Sequence, residues 1–130
     1  MDLEIINIAA DTDNNRNIID HTHFSKLKNS LCGDEVQIKL IIKNEKIVEF
    51  AYQEKSCVYC QASISVLSKI AINHEKVEIN NLCDDVKNNF DLIKLNKKWF
   101  LLKKLLKKKN ISRKECILLP FKALKKIVSK

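Results

Sequence analysis

The chain holds one glycine and one proline in 130 residues, too few for a glycine- or proline-rich linker, and no internal repeat marks it as a solenoid or array. Nowhere does it approach the roughly 18 to 20 uncharged apolar residues that a membrane-spanning helix needs. The opening MDLEIINIAADTDNN is acidic and lacks the basic-then-apolar order of a secretory signal, so a soluble, cytoplasmic protein is expected. With 45% hydrophobic and 31% charged residues, the length suits one packed core and is short for two. Residues 1–130 are read as a single domain.

The cysteines, at 32, 57, 60, 83 and 116, are odd in number. In a reducing compartment that argues against a disulfide framework and toward metal binding, thiol chemistry or use as small buried hydrophobes. Charge is unevenly placed. Residues 1–93 carry 10 Lys/Arg against 15 Asp/Glu, a net of −5, and residues 94–130 carry 14 against one, a net of +13. The segment KKWFLLKKLLKKK within this basic end could be an amphipathic surface for nucleic acid or an anionic membrane, the solvated face of a packed helix, or a docking patch for an acidic partner protein.

Periodicity gives an order of elements. The segment IINIAADTDNNRNIIDHTHFSKL reads as weakly helical and is broken by the polar run Asp11–Asn15. Val36, Ile38, Leu40 and Ile42 alternate with Gln37, Lys39 and Ile41, the period of two of a half-buried strand over 36–42. A second strand over 46–53 follows the link Lys43-Asn44-Glu45, with Val48, Phe50 and Tyr52 assigned to one face and Ile47, Glu49 and Ala51 to the other, which makes a hairpin. From Cys57 the period changes to three and four, predicting an amphipathic or largely buried helix. Further helices are expected over 81–93 and, strongly basic, over 97–109, with Trp99, Leu102, Leu105 and Leu106 as the latter's apolar stripe. The last helix is expected to start near Ser112 as N-cap or to restart at Pro120. Strands first and helices afterwards indicate an α+β domain: a small antiparallel sheet, the hairpin with room for a third strand, packed against several helices.

Hairpin geometry gives the cysteines a context. Strands leaving residue 36 and returning near residue 52 end on the same side, so Cys32, Asp34 and Cys57 can converge at one edge, and Cys116 can reach them only through tertiary folding. Three thiolates and a carboxylate suit tetrahedral zinc or iron and do not suit magnesium or calcium. Gly33, between Cys32 and Asp34, fits this reading because two ligands one residue apart need a sharp backbone bend and a close approach. An ordinary turn glycine is the plainer alternative.

The stretch NSLCGDEVQIKLIIKNEKIVEFAYQEKSCVYCQASISVLSK resembles the core of the U-type iron-sulfur cluster assembly scaffolds, the IscU, SufU and NifU N-terminal family, and SRKECILLPFKALKKIV resembles the family's third cysteine segment. Together they cover residues 29–72 and 112–128. The resemblance implies a SufE/NifU-like fold, a cluster (two-iron, two-sulfur) or zinc held by Cys32, Asp34, Cys57 and Cys116, a cysteine desulfurase as sulfur source and apo iron-sulfur proteins as acceptors. It implies a scaffold and sulfur acceptor rather than an enzyme, with a sulfurtransferase-type activity left open. Cys32 and Cys116 are the candidate persulfide acceptors, and Arg113 and Lys114 are expected to lower the Cys116 pKa. An oxygen ligand from Asp34 would weaken the hold on a cluster that must be passed on.

Departures from the family pattern are also legible. Ser30 stands at a usual proline and Ser56 at a usual glycine, Glu115 precedes the third cysteine, and Asp20-His21 is all that matches the usual N-terminal motif. The family's N-terminal strand is therefore expected to be absent or rebuilt. Cys57-Val58-Tyr59-Cys60 spells CxxC, a redox pair if thioredoxin-like, and otherwise Cys60 fills a place where the family has a small residue. Cys83 reads as packing. His21, His23 and His74 read as surface or core residues, with His23 the one histidine considered as a stand-in ligand. Nucleic acid is not expected as a partner.

Overall fold

Alternating apolar residues from Val36 onward form β2 (Glu35–Lys43), which turns through Asn44 and Glu45 into β3 (Lys46–Lys55). The computed structural model, which describes residues 2–130, gives both turn residues positive φ, 52° and 66°, the twist that suits a two-residue hairpin. A third strand, β1 (His23–Lys28), pairs antiparallel with β2 on its other edge, so the sheet order is β1-β2-β3. The third strand for which the hairpin left room is thus present, in a stretch whose sequence reads as weakly helical. Tertiary pairing decides it: His23–Lys28 buries only Ser25 fully, so its own apolar pattern is weak, and β2 supplies the hydrogen-bonding partner.

One detail of the hairpin corrects the assigned faces. Ile41 pairs with Glu49 and Ile42 with Ile47, so Val48 is the extra residue of a bulge. An extra residue reverses the alternation beyond it. Ile47 therefore joins Phe50 and Tyr52 in the main core, and Val48 packs on the opposite face with Ile18, Ile41 and Ala51.

Helix α1 (Leu3–Ala9) opens the chain, capped by Asp2, whose carboxylate accepts the Glu4 N–H at 3.0 Å. The polar run after it is pinned to its neighbours: Ser65 Oγ donates to the Asp11 carbonyl at 2.7 Å, Asn14 Nδ2 to Ser68 Oγ at 3.0 Å, and Tyr52 N–H to the Asn14 carbonyl at 2.9 Å. Both serines lie on α2 (Val58–Ile70), a helix buried on most of its surface. Small residues let its neighbours approach, and the hydroxyls satisfy backbone groups that would otherwise be buried without partners. Ser63 does the same on the other side, donating to the Ile117 carbonyl at 2.6 Å.

The next helix, α3, spans Lys76–Asn89 and starts five residues before the expected 81. Glu75 and Glu78 form a capping box, a start that the sequence hides because glutamate is not a usual N-cap residue. The basic segment expected as one helix over 97–109 is instead two 3-10 helices, Lys97–Lys104 and Lys108–Arg113. Trp99, Leu102 and Leu105 are all buried, and the 3.0 residues of a 3-10 turn stack a spacing of three on one ridge. At about 100° per residue, an α-helix would swing Leu105 well away from Trp99.

Helix α4 runs Lys114–Val128 without interruption. Ser112 is not its N-cap and Pro120 does not restart it; Pro120 sits inside, buried, where it removes the N–H that would have bonded the Cys116 carbonyl. The face Ile117, Leu118, Phe121, Leu124 and Val128 packs into one core with α2, α3 and the sheet. The architecture is the α+β arrangement expected, with helices covering a three-stranded antiparallel sheet.

Candidate metal centre

The loop between β1 and β2 is closed by its own backbone. Asn29 N–H donates to the Asp34 carbonyl at 2.7 Å, Gly33 N–H returns to the Asn29 carbonyl at 2.8 Å, and Leu31 N–H bonds the Asn29 side chain at 2.9 Å. Asn29 thus organises the loop, a role that an Asx residue at a turn start signals and that the sequence reading passed over. Gly33 has φ +80°, and nothing lies within 4 Å of where a Cβ would stand. The glycine is there for backbone conformation; the space beside it is open.

Because Glu35 pairs with Lys55, the residues before β2 and those after β3 leave the sheet at the same edge. Cys57 N-caps α2 there, and α4 lies across α2 and β1 so that its first turn brings in Cys116. The Sγ of Cys32, a carboxylate oxygen of Asp34 and the Sγ of Cys116 all fall within 4.8 Å of one another. The Cys57 Sγ stands outside that mutual trio. It is tied to it through its backbone: the Cys57 N–H donates to Asp34 Oδ1 at 3.2 Å. Cys32 is exposed, Cys57 and Cys116 are half-buried, and Asp34 is 7% exposed.

Asp34 Oδ2 is buried and has no hydrogen-bond partner. Burial pushes the Cys116 thiol up to about 12, with the Cys57 hydrogen bond and the charges of Cys57, Asp34 and Cys32 acting in the same direction. Anionic groups crowded this closely cannot all ionise without a cation among them. An orphaned carboxylate oxygen and converging thiols are the donor set that a soft, tetrahedral cation would satisfy.

The expected lowering of the Cys116 pKa by Arg113 and Lys114 is overturned. Arg113 lies over the Tyr59 ring at 5.3 Å and Lys114 near the Phe90 ring at 6.0 Å, while burial and anionic neighbours dominate the thiol. His23 shares a 2.8 Å contact with Thr22 Oγ1 and is no part of the trio. His74 packs beside Trp99. Cys83 is buried in the core, as expected of a packing residue. Cys60 is also buried, and burial raises its thiol far above the ordinary range while a hydrogen bond with Ser56 works the other way.

Part of the basic end is answered from within. Lys109 pairs with Asp2, Lys107 with Glu4, Lys98 with Glu78 and Lys125 with Asp84, each bond joining the lysine-rich end to the acidic remainder. Surface pairs of this kind add little to stability, yet they leave less charge free for a polyanion. Among the described residues no helix is long and apolar enough to cross a membrane.

Several known proteins are similar to this chain. Residues 5–91 match the family model described as NifU-like N terminal domain, a span that takes in Cys32, Asp34 and Cys57 and ends before Cys116. An uncharacterized protein of Borreliella burgdorferi is 34% identical over 100 residues, covering 74% of this chain and 67% of that protein. The iron-sulfur cluster assembly scaffold protein IscU of Thermotoga maritima is 29% identical over 116 residues, covering 85% and 80%. Crystal structures of the N-terminal part of a NifU-like protein from Brucella abortus (TM-score 0.88, 19% identity, 98% of this chain and 91% of that one) and of the SUF-system protein FiSufU from Fervidobacterium islandicum (TM-score 0.87, 23% identity, 98% and 96%) share the fold. With the match running over two thirds of its length, this chain belongs to the NifU-like N-terminal domain family.

Proposed function

We propose that this chain is an iron-sulfur cluster assembly scaffold that holds its cargo, a cluster or zinc, on Cys32, Asp34, Cys57 and Cys116. The observation that carries the reading is the meeting of Cys32, Asp34 and Cys116 within 4.8 Å, from two widely separated parts of the chain, around a buried carboxylate oxygen that has no other partner. A packed core gains nothing from such a cluster, since a buried unpartnered carboxylate is costly. The family match supports the same reading from sequence.

In this reading a cysteine desulfurase presents persulfide sulfur, and Cys32 or Cys116 takes it by attack of a thiolate on the terminal sulfur, the displacement chemistry of thiol-disulfide exchange. Cys32, exposed on a loop, is open to a partner protein; Cys116 is raised in pKa and half-buried, so it becomes a thiolate as a cation displaces its proton. Asp34 supplies the one oxygen donor, a weaker bond for iron than a thiolate, which suits release to apo acceptor proteins. The chain holds and passes on its cargo and does not turn over a substrate.

The test is anaerobic reconstitution with a cysteine desulfurase, iron and cysteine. The parent should gain about one cluster, or as purified about one zinc, per chain, and Cys32→Ser, Cys57→Ser and Cys116→Ser should each lose most of it. Undiminished loading of all three variants would remove the reading.

A further inference from the structure

In the 3-10 helix Lys97–Lys104, residues three apart stack above one another, about 6 Å apart along the axis. Its residues therefore sort onto three ridges. One of them, Trp99 and Leu102 with Leu105 just beyond, is buried. The other two face outward, and both read lysine, apolar, lysine: Lys97-Phe100-Lys103 and Lys98-Leu101-Lys104. Phe100 is 54% exposed and Leu101 58% exposed. Being consecutive, they stand side by side at one level, each with a lysine above and below. An α-helix would rotate every three-residue step by about 60° and skew both rows. The second 3-10 helix, Lys108–Arg113, repeats the pairing: Lys108 is exposed and Ile111, three residues on, is 52% exposed.

Single exposed apolar residues are ordinary. A pair of large ones framed by lysines fits a partner that is anionic at its surface and apolar just beneath. The charge for this is available. Lys98 pairs with Glu78 and Lys109 with Asp2, while Lys97, Lys103, Lys104 and Lys108 form no ion pair among the described residues. Residue types then separate the anionic partners. Nucleic acid gains nothing from Leu101 and Ile111, which neither stack on a base nor hydrogen-bond to one. Specific protein interfaces enrich arginine and deplete lysine, and the frame is lysine throughout. Lysine carries a compact charge on a flexible apolar stem, so it holds its head at the level of lipid phosphates while apolar neighbours sit deeper.

We propose that the outward face of the two 3-10 helices is a peripheral docking surface for an anionic phospholipid membrane. Phe100, Leu101 and Ile111 enter the headgroup boundary, and Lys97, Lys103, Lys104 and Lys108 meet the phosphates. The chain lies on the bilayer and does not cross it. The face uses none of Cys32, Asp34, Cys57 and Cys116, so attachment and the holding of cargo are separate properties.

The test is co-sedimentation of the full chain with vesicles of about one-third phosphatidylglycerol in phosphatidylcholine, compared with phosphatidylcholine alone. The parent should bind the anionic vesicles and leave the neutral ones unbound. Replacing Lys97, Lys103, Lys104 or Lys108 by Gln should lower the partition about fivefold for each lysine removed. Phe100→Ser combined with Leu101→Ser, which leaves the charge unchanged, should lower it about tenfold. Changing Lys43, Lys46, Lys87 and Lys126 to Gln removes as much charge elsewhere and should cost far less than the four frame lysines do. Equal losses from the two lysine sets, no loss from the Phe100 and Leu101 pair, or no binding by the parent overturns the proposal. Tighter binding of the parent to single-stranded RNA than to the anionic vesicles, with Phe100 and Leu101 indifferent, gives the face to nucleic acid and overturns it too. Circular dichroism checks that each variant folds; should the double variant not fold, Leu101→Ser alone and the two lysine sets still decide.

Discussion

Asp34 Oδ1 accepts the backbone N–H of Cys57 at 3.2 Å, so one carboxylate fastens the loop before β2 to the start of α2. Its other oxygen is buried and unpartnered. The same residue is therefore half structural brace and half open donor, and the two halves can be separated by mutation.

Removing the brace with Asp34→Ala loses a hydrogen bond of about 1 kcal/mol but also removes an unsatisfied buried oxygen. The metal-free chain should melt within about 4 °C of the parent. Asp34→Cys, which exchanges the oxygen donor for a thiolate, should hold a reconstituted cluster several times longer, read as the half-time of transfer to an apo acceptor. Equal half-times would show that Asp34 does not set release.

Gly33 at φ +80° predicts a ranking set by backbone strain alone, since a Cβ there meets open space. Gly33→Ala should cost about 1 kcal/mol, Gly33→Asn less and Gly33→Val more. Thermal denaturation of the metal-free variants gives the order. If Ala and Val prove equal to Gly, the loop does not keep this conformation in solution.

The 3-10 register is tested by a pair of leucines. Leu102 is fully buried and Leu101 is 58% exposed, so Leu102→Ala should cost about 2–5 kcal/mol and Leu101→Ala no more than about 0.5 kcal/mol. Denaturant unfolding of both variants distinguishes this arrangement from one in which the segment is turned about its axis.

Burial pushes the Cys83 thiol up to about 12, with Lys125 pulling it down and Asp84 pushing it up. A thiol whose folded pKa lies above its unfolded value of about 8.5 stabilises the fold fully below that value, and the contribution is lost as pH rises toward 12. Stability should therefore fall above about pH 9 less steeply in Cys83→Ala than in the parent. At pH 8 native Cys32 should alkylate rapidly, while Cys60 and Cys83 should react only on unfolding. Fast native labelling of Cys83 would contradict its burial.

The hairpin was readable because a period of two in Val36–Ile42 states both the strand and its buried face, and the turn residues Asn44 and Glu45 sit where a tight link must fall. The α2 segment was readable for the same reason, through spacings of three and four. The bulge at Val48 was not, since nothing local marks which residue the partner strand will leave unpaired. Nor was the 3-10 winding of Lys97–Lys104: Trp99, Leu102 and Leu105 fit either a 3-10 or a loosely read α-helical stripe, and packing on α2 selects between them.

The sequence by itself determined the donor types, their order along the chain and the convergence of Cys32, Asp34 and Cys57 at one sheet edge, because antiparallel pairing is a local consequence of the hairpin. Only the tertiary structure decided that Cys116 arrives at the same place and that Arg113 lies over the Tyr59 ring. Those relationships depend on how α4 and α2 pack against the sheet, and distances set by packing across more than fifty residues are written in no single stretch of the chain.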